Sequence, residues 1–157
     1  MTVWTEMPSP VGVLRLASDG QALTSVMFDP PDAAVGERDD DHPVLVRARE
    51  QLQAYFAGEL TEFDLPLAAS GTPFQQRVWQ ALREIAYGET ATYGEVAQRL
   101  GLAPGASRAV GLANGRNPLA IVVPCHRVVG SKGRLVGYAG GLDRKQKLLS
   151  LESSALF

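Results

Sequence analysis

The chain has 157 residues, of which 45% are apolar and 20% charged, and its net charge is −2. These values describe an ordinary globular chain and exclude disordered, collagenous and coiled-coil classes. The single cysteine, Cys125, excludes an intramolecular disulfide and a cysteine-rich zinc cluster.

Charge is spread unevenly along the chain. Residues 1–87 carry 6 Lys and Arg against 13 Asp and Glu, a balance of −7, and residues 88–157 carry 9 against 4, a balance of +5. An acidic part joined to a basic part suggests that the second meets phosphate, the plain alternative being surface patterning without a partner. The opening stretch 1–8 has no basic run leading into an apolar one, so no secretory signal is read there. The apolar run at 119–123 is far below the roughly 20 residues of a membrane helix. A cytoplasmic, reducing compartment and no membrane partner are expected.

In chain order, residues 11–17 and 22–28 are strand-like and flank Asp19-Gly20, a hairpin signal, so a small antiparallel sheet is expected over 3–28. The acidic, proline-rich stretch 29–41 reads as a solvated loop. A helix over about 43–57 repeats Val44, Leu45, Ala48, Leu52, Tyr55 and Phe56 on one face, stops at Gly58 and should cover the sheet. Residues 59–71 form a connector, dividing the chain into domains 1–71 and 72–157.

The second part opens on Thr72-Pro-Phe-Gln75, a capping box with proline at the first helical position, followed by Phe74, Val78, Ala81, Leu82 and Ile85 at helical spacing. A second box, Thr92-Tyr-Gly-Glu95, starts a helix that runs to Gly101. After a turn at Pro104 and Gly105, a third helix spans about 106–114. Two short helices around a tight turn in the basic half fit a helix-turn-helix, although helical cores adopt the same geometry without touching DNA. On the DNA reading, Arg108 and Arg116 sit at opposite ends of the recognition helix.

The strand-like run 119–123 ends at Pro124 and delivers Cys125, His126 and Arg127 in succession. A thiol attacks as thiolate, and a nearby imidazole or cation favours that form; a buried cysteine is equally at home as a small core hydrophobe. Neighbours in extended chain point to opposite sides, so His126 reaches Cys125 only through a turn of the backbone or a bridging water. On the final helix, about 142–152, Leu148, Leu149 and Glu152 share a face. That places the Glu152 carboxylate among apolar side chains, where His126 would partner it, unless the helix end simply meets water. The glycine-rich stretches 131–133 and 136–141 surround Tyr138 and suit either close approach of a ligand or a plain loop.

Taken together, Pro124-Cys-His-Arg-Val128, the eleven residues from Tyr87 (Tyr-Gly-Glu-Thr-Ala-Thr-Tyr-Gly-Glu-Val-Ala), Ser107-Arg-Ala-Val-Gly, Arg116-Asn-Pro, Gly137-Tyr-Ala-Gly-Gly-Leu and the Leu-Leu-Ser-Leu-Glu that ends at Glu152 resemble the O6-alkylguanine-DNA alkyltransferases, also called methylated-DNA–protein-cysteine methyltransferases. The match is strong over 72–152 and weaker before it. The resemblance implies an α/β (α+β) fold, with an N-terminal ribonuclease-H-like antiparallel sheet and helix and a C-terminal, mainly helical, winged-helix-like domain containing the helix-turn-helix.

The resemblance also implies direct-reversal DNA repair: a single-use transfer of an alkyl group from O6 of guanine, with O4 of thymine as an extension, to Cys125. His126 and Glu152 would deprotonate Cys125 through a water, and Asn117 would be a buried asparagine holding the active-site turn through backbone. The damaged nucleotide must leave the duplex, which costs a few kcal/mol. Arg108 would fill the vacated space and Tyr93 would press on the 3′ phosphate. Ala109 and Ala113 would allow close approach in the minor groove, with Arg116 and Arg127 also at the DNA. Val128 and Ala139 backbone, Tyr138, Leu135 and Val136 would line the alkylguanine pocket.

No cofactor is implied, and the zinc site of some eukaryotic members lacks its cysteines here. The expected partner is double-stranded DNA containing O6-alkylguanine, bound by a monomer, with several molecules able to line one duplex. Ala86 stands where many relatives have proline, and Ala139 where some have serine. Two other classes use part of this pattern: a DNA-binding regulator with a sensing thiol, and a Cys-His-Glu hydrolase. The first gives no reason for Glu152, Asn117 and Tyr138 to match together, and the second requires an oxyanion hole and multiple turnovers and leaves the basic half unexplained.

Overall fold

Alternating burial of Val3, Thr5 and Met7 defines β1 (Val3–Met7) in the computed structural model, which describes residues 1–138 and 140–154. β1 pairs antiparallel with β2 (Leu14–Ser18), Val3 opposite Ser18 and Met7 opposite Leu14, and β2 pairs antiparallel with β3 (Leu23–Phe28). At the expected hairpin, the Asp19 carboxylate accepts from the N–H groups of Gln21 and Ala22, both at 2.9 Å, while Gly20 takes a φ of +100°. Such a φ is open to glycine at little cost.

A fourth strand, β4 (Glu37–Arg38), pairs in parallel with β1, so the sheet order is β3-β2-β1-β4. The sheet is therefore mixed rather than purely antiparallel, and part of the stretch expected as loop forms its edge. Two exposed, charged residues make a short edge that resists further strand addition. Helix α1 (Pro43–Phe56) buries Leu45, Ala48, Leu52 and Tyr55 and packs on β1, β2 and β3. Burial of each such aliphatic side chain contributes about 1.5–3 kcal/mol relative to exposure.

The run 119–123 is not a strand. It makes one bridge, Leu119 to Val26, and then turns, with Ile121 at a φ of +71°. Its apolarity reflects burial of all five residues, a signal that strands and buried turns share. Val26 donates to the Pro118 carbonyl at 2.9 Å and accepts from Ala120 at 3.4 Å. The chain accordingly folds as two compact units, Met1–Ser70 with Pro118–Val122, and Gly71–Asn117 with Val123–Phe157. A single cut at 71 misses this return of the chain to the first unit.

In the second unit, α2 (Pro73–Leu82) carries the expected capping box, Thr72 Oγ1 accepting from Gln75 at 3.1 Å and Gln75 Oε1 from Thr72 at 2.9 Å. The strand β5 (Ala91–Thr92) leads into α3 (Tyr93–Arg99), capped by the same device with Thr92 and Glu95, each bond at 3.0 Å. A 3-10 turn, Pro104–Ala106, precedes α4 (Ser107–Gly115). β6 (Val128–Val129) pairs in parallel with β5, and α5 (Leu142–Ser154) closes the described chain. No helix among the described residues is long and apolar enough to cross a membrane.

The indole N–H of Trp79 on α2 donates to the Ala113 carbonyl on α4 at 2.9 Å, a buried bond that fixes the angle of α4. Trp79→Phe keeps the apolar ring and strands that carbonyl. It should lower stability by about 1–3 kcal/mol, read as a drop in urea midpoint at constant slope.

Candidate active site

Pairing of β6 with β5 brings the turn Cys125–Arg127 beside the start of α3, and Tyr93 with it. The backbone does turn at Cys125. Its N–H bonds the Val123 carbonyl at 2.8 Å, that of Arg127 bonds Pro124 at 3.0 Å, and Cys125–Arg127 forms one 3-10 turn. All three side chains are buried. The Asn114 amide approaches the Cys125 carbonyl at 3.4 Å, and the Asn117 amide donates to the Val123 carbonyl at 2.9 Å. Asn117 is half-buried, and the buried asparagine is Asn114.

Glu152 does not fray into water: it is 1% exposed and serves two partners. His126 Nε2 lies 2.6 Å from Oε2, while Arg127 donates Nε to Oε1 at 2.8 Å and Nη2 to Oε2 at 3.1 Å. Arg127 also donates to the Ile85 carbonyl at 2.7 Å, and its guanidinium lies 5.7 Å from the Tyr87 ring centroid. The expectation that Arg127 meets DNA is therefore corrected. It is 7% exposed and neutralises the buried carboxylate instead.

Burial pushes the His126 imidazole below its usual value, against the pull of Glu152 upward. A neutral ring that donates through Nε2 to Glu152 leaves Nδ1 as a base. That Nδ1 is buried and has no hydrogen-bond partner among the described residues. No direct bond to the thiol is therefore in place, and a proton moves between them through a water or not at all. Burial pushes the Cys125 thiol above its ordinary value of 9.0, while hydrogen bonds from Asn117 and Tyr138 and the Lys145 charge pull it down. The thiol is held protonated, with Asn117, Tyr138 and the Lys145 charge acting toward the thiolate.

Of the remaining expected site residues, Leu135 and Tyr138 are half-buried and Val136 is 38% exposed, its methyls against Gly130. Val128 is fully buried, and its N–H bonds the Cys125 carbonyl. Ala139 lies outside the described residues. The Tyr93 hydroxyl sits 3.5 Å from the Val136 carbonyl, and burial raises its pKa, with Cys125 adding to the effect. Its ring packs beside Gly111 of α4, where an added Cβ would come 3.7 Å away.

On α4, Arg108, Ala109 and Arg116 are exposed along one face, together with Leu112. Ala113 is 4% exposed and faces the core, which corrects its assignment to the DNA side. Sequence reasoning also passed over Asn114 and Lys145. The signal for Lys145 was present, since it stands three residues before Leu148 and seven before Glu152, on the same stripe of α5.

Comparison with known proteins matches residues 73–154 to the DNA-binding domain and residues 2–69 to the ribonuclease-like domain of 6-O-methylguanine DNA methyltransferases. The methylated-DNA–protein-cysteine methyltransferase of Mycolicibacterium paratuberculosis is 55% identical over 97% of this chain and 93% of its own length. That of Methanosarcina acetivorans is 54% identical over 93% and 95%. Among solved structures, Mycobacterium tuberculosis OGT in complex with DNA superposes with a TM-score of 0.89 at 52% identity, covering 98% of this chain and 94% of that one.

A raised folded-state pKa means that the folded thiol keeps its proton where the unfolded one loses it. Its contribution to stability is complete below 9.0 and is lost as pH climbs beyond that value toward the folded pKa. Alkylation of Cys125 by iodoacetamide in the native protein should keep accelerating above pH 9.0. A plateau near neutral pH would contradict the thiol state described.

Proposed function

The chain belongs to the 6-O-methylguanine DNA methyltransferase family, and from that membership we propose how its residues divide the work. It is a methylated-DNA–protein-cysteine methyltransferase, an alkyl-transfer DNA repair protein. The finer reading is that it takes a methyl or larger alkyl group from O6 of guanine in double-stranded DNA onto Cys125, once per molecule. The observation that carries it is the sole cysteine, buried, in a turn whose backbone is held by the Asn117 amide and which also carries an unpartnered His126 Nδ1.

In the transfer, the thiol proton passes through a water to His126 Nδ1, Glu152 and Arg127 holding the ring in place. The sulfur attacks the alkyl carbon, an S–C bond forms, and the C–O6 bond breaks with its electron pair on oxygen. The guanine anion then takes a proton at N1, so the thiol proton ends on the base. The thioether has no leaving group, and the protein is consumed. The same displacement extends to an alkyl group on O4 of thymine.

A base within a duplex is out of reach of a buried sulfur, so the reading requires the nucleotide to be flipped. The exposed face of α4 is the docking surface, with Ala109 allowing approach to the minor groove and Arg116 on phosphate. Arg108 stands in the vacated stack and Tyr93 meets the 3′ phosphate. Leu135, Val136 and Tyr138 enclose the alkylguanine. Monomers act independently, with room for several along one duplex.

Intact mass after mixing with a duplex containing one O6-methylguanine should rise by about 14 Da, once, at Cys125. Cys125→Ala should bind the lesion without gaining mass. Reversible oxidation alone would indicate a sensor, and no lasting adduct a hydrolase. Arg108→Ala should slow transfer from duplex by about tenfold or more while leaving transfer from the free base near wild type, measured as single-turnover rates. Equal slowing of both would remove Arg108 from the flipping role.

A further inference from the structure

Residues 85–89 hold Arg127 from two directions. The Glu89 N–H bonds the Ala86 carbonyl at 3.0 Å, closing a turn in which Tyr87 stands second and Gly88 third, with Gly88 at a φ of +81°. A positive φ at the third position is the type II arrangement, which glycine enters at little cost. The chain here sets two groups on the guanidinium. The Ile85 carbonyl accepts from Nη1 at 2.7 Å on its edge, and the Tyr87 ring lies against its face, with Cζ 5.7 Å from the ring centroid. The Tyr87 hydroxyl oxygen is itself out of solvent.

Edge and face have different needs. The N–H groups of the edge require acceptors, which Glu152 and Ile85 supply. The face of a guanidinium is weakly hydrated and stacks on aromatic rings, whose negative face attracts the cation. A cavity of about 260 Å³ lies beside the ion pair, lined by Gly88, Glu89 and Thr90 of the same loop and by Gln146, Leu149 and Glu152 of α5. The turn therefore borders a space that water can fill next to the carboxylate. An ion pair that water reaches is weaker, because the effective dielectric rises.

We propose that Tyr87 is a positioning residue for the transfer, its ring holding the face of Arg127 and so keeping dry the guanidinium–carboxylate pair that fixes His126 with Nδ1 as the base. The proposal rests on the function proposed above and adds to that site a residue outside both the Cys125–Arg127 turn and α5. The charged groups facing His126 are Glu152 of α5, Arg127 of its own turn and Lys145 of α5, whose Nζ donates to the Val136 carbonyl at 3.0 Å and the Gly137 carbonyl at 3.4 Å. Those facing Tyr87 are Glu152 and Arg127. Burial is the largest influence on His126 and disfavours the imidazolium. Water admitted beside Arg127 and Glu152 relaxes that burial. The imidazolium then forms at higher pH, and the base is lost sooner as pH falls.

The test uses Tyr87→Leu, which removes the ring, and Tyr87→Phe, which keeps it, in the full chain. With only His42 and His126 in the sequence, an NMR titration of the imidazole signals follows His126 directly. In Tyr87→Leu the His126 midpoint should rise by about one pH unit, and the acid limb of single-turnover transfer from free O6-methylguanine should move up with it. Tyr87→Phe should restore both to wild type. Pentafluorophenylalanine at position 87 keeps the ring's shape and inverts the charge on its face. It should shift both midpoints upward, so the proposal stays decidable if Tyr87→Leu does not fold. Wild-type midpoints in Tyr87→Leu or in the fluorinated protein, or a shift in Tyr87→Phe as large as in Tyr87→Leu, would overturn the proposal. If the wild-type chain itself transfers no methyl group, the proposed function fails, while the His126 titrations still report on Tyr87.

Discussion

The Glu152 carboxylate holds three contacts from inside the protein, to His126 Nε2 at 2.6 Å and to Arg127 at 2.8 and 3.1 Å. An isolated carboxylate in that position would be driven to take up a proton. The Arg127 guanidinium pairs with it, and Glu152 accepts from His126 Nε2, which fixes the tautomer and leaves Nδ1 as the base. Burial first, and then the Arg127 charge, act against the imidazolium and keep the ring able to accept a proton. The residue next in sequence to the histidine thus decides what the histidine can do.

A nucleophile that reacts once has to stay unreacted until its substrate arrives. Burial supplies that restraint, since it keeps Cys125 a thiol. Asn117, Tyr138 and Lys145 meanwhile stand ready for the anion, so little reorganisation is needed when the proton leaves. Restraint and readiness have different sources: the first is burial of the sulfur, the second the polar groups of Asn117, Tyr138 and Lys145.

Much of this was legible in the amino-acid sequence because the signals were local. The capping boxes at Thr72 and Thr92, the Asp19-Gly20 turn and the helical repeat over α1 each act within a few residues. Glu152 was legible because an acid on an apolar stripe demands a partner. Arg127 was misread because exposure is the usual state of arginine, and only tertiary packing showed it beneath Tyr87 and Ile85. Ala113 was misplaced because helix periodicity gives the faces of α4 but not which of them meets α2. The run 119–123 was misread because continuous apolarity records burial and not backbone conformation. Lys145 escaped because a lysine on a stripe looks like solvent-facing charge until its carbonyl partners, from a loop without periodicity, are in place.

The path of the chain between the units bears on how the protein could have been assembled or could be taken apart. Residues 118–122 belong with the first unit through Val26, and both sequence neighbours of that segment belong with the second. A fragment beginning at residue 71 would carry Pro118 and Ala120 without the Val26 groups they bond, a few residues before the turn that bears the nucleophile. A cut at the linker near residue 71 would therefore leave those two backbone groups to find water or new partners.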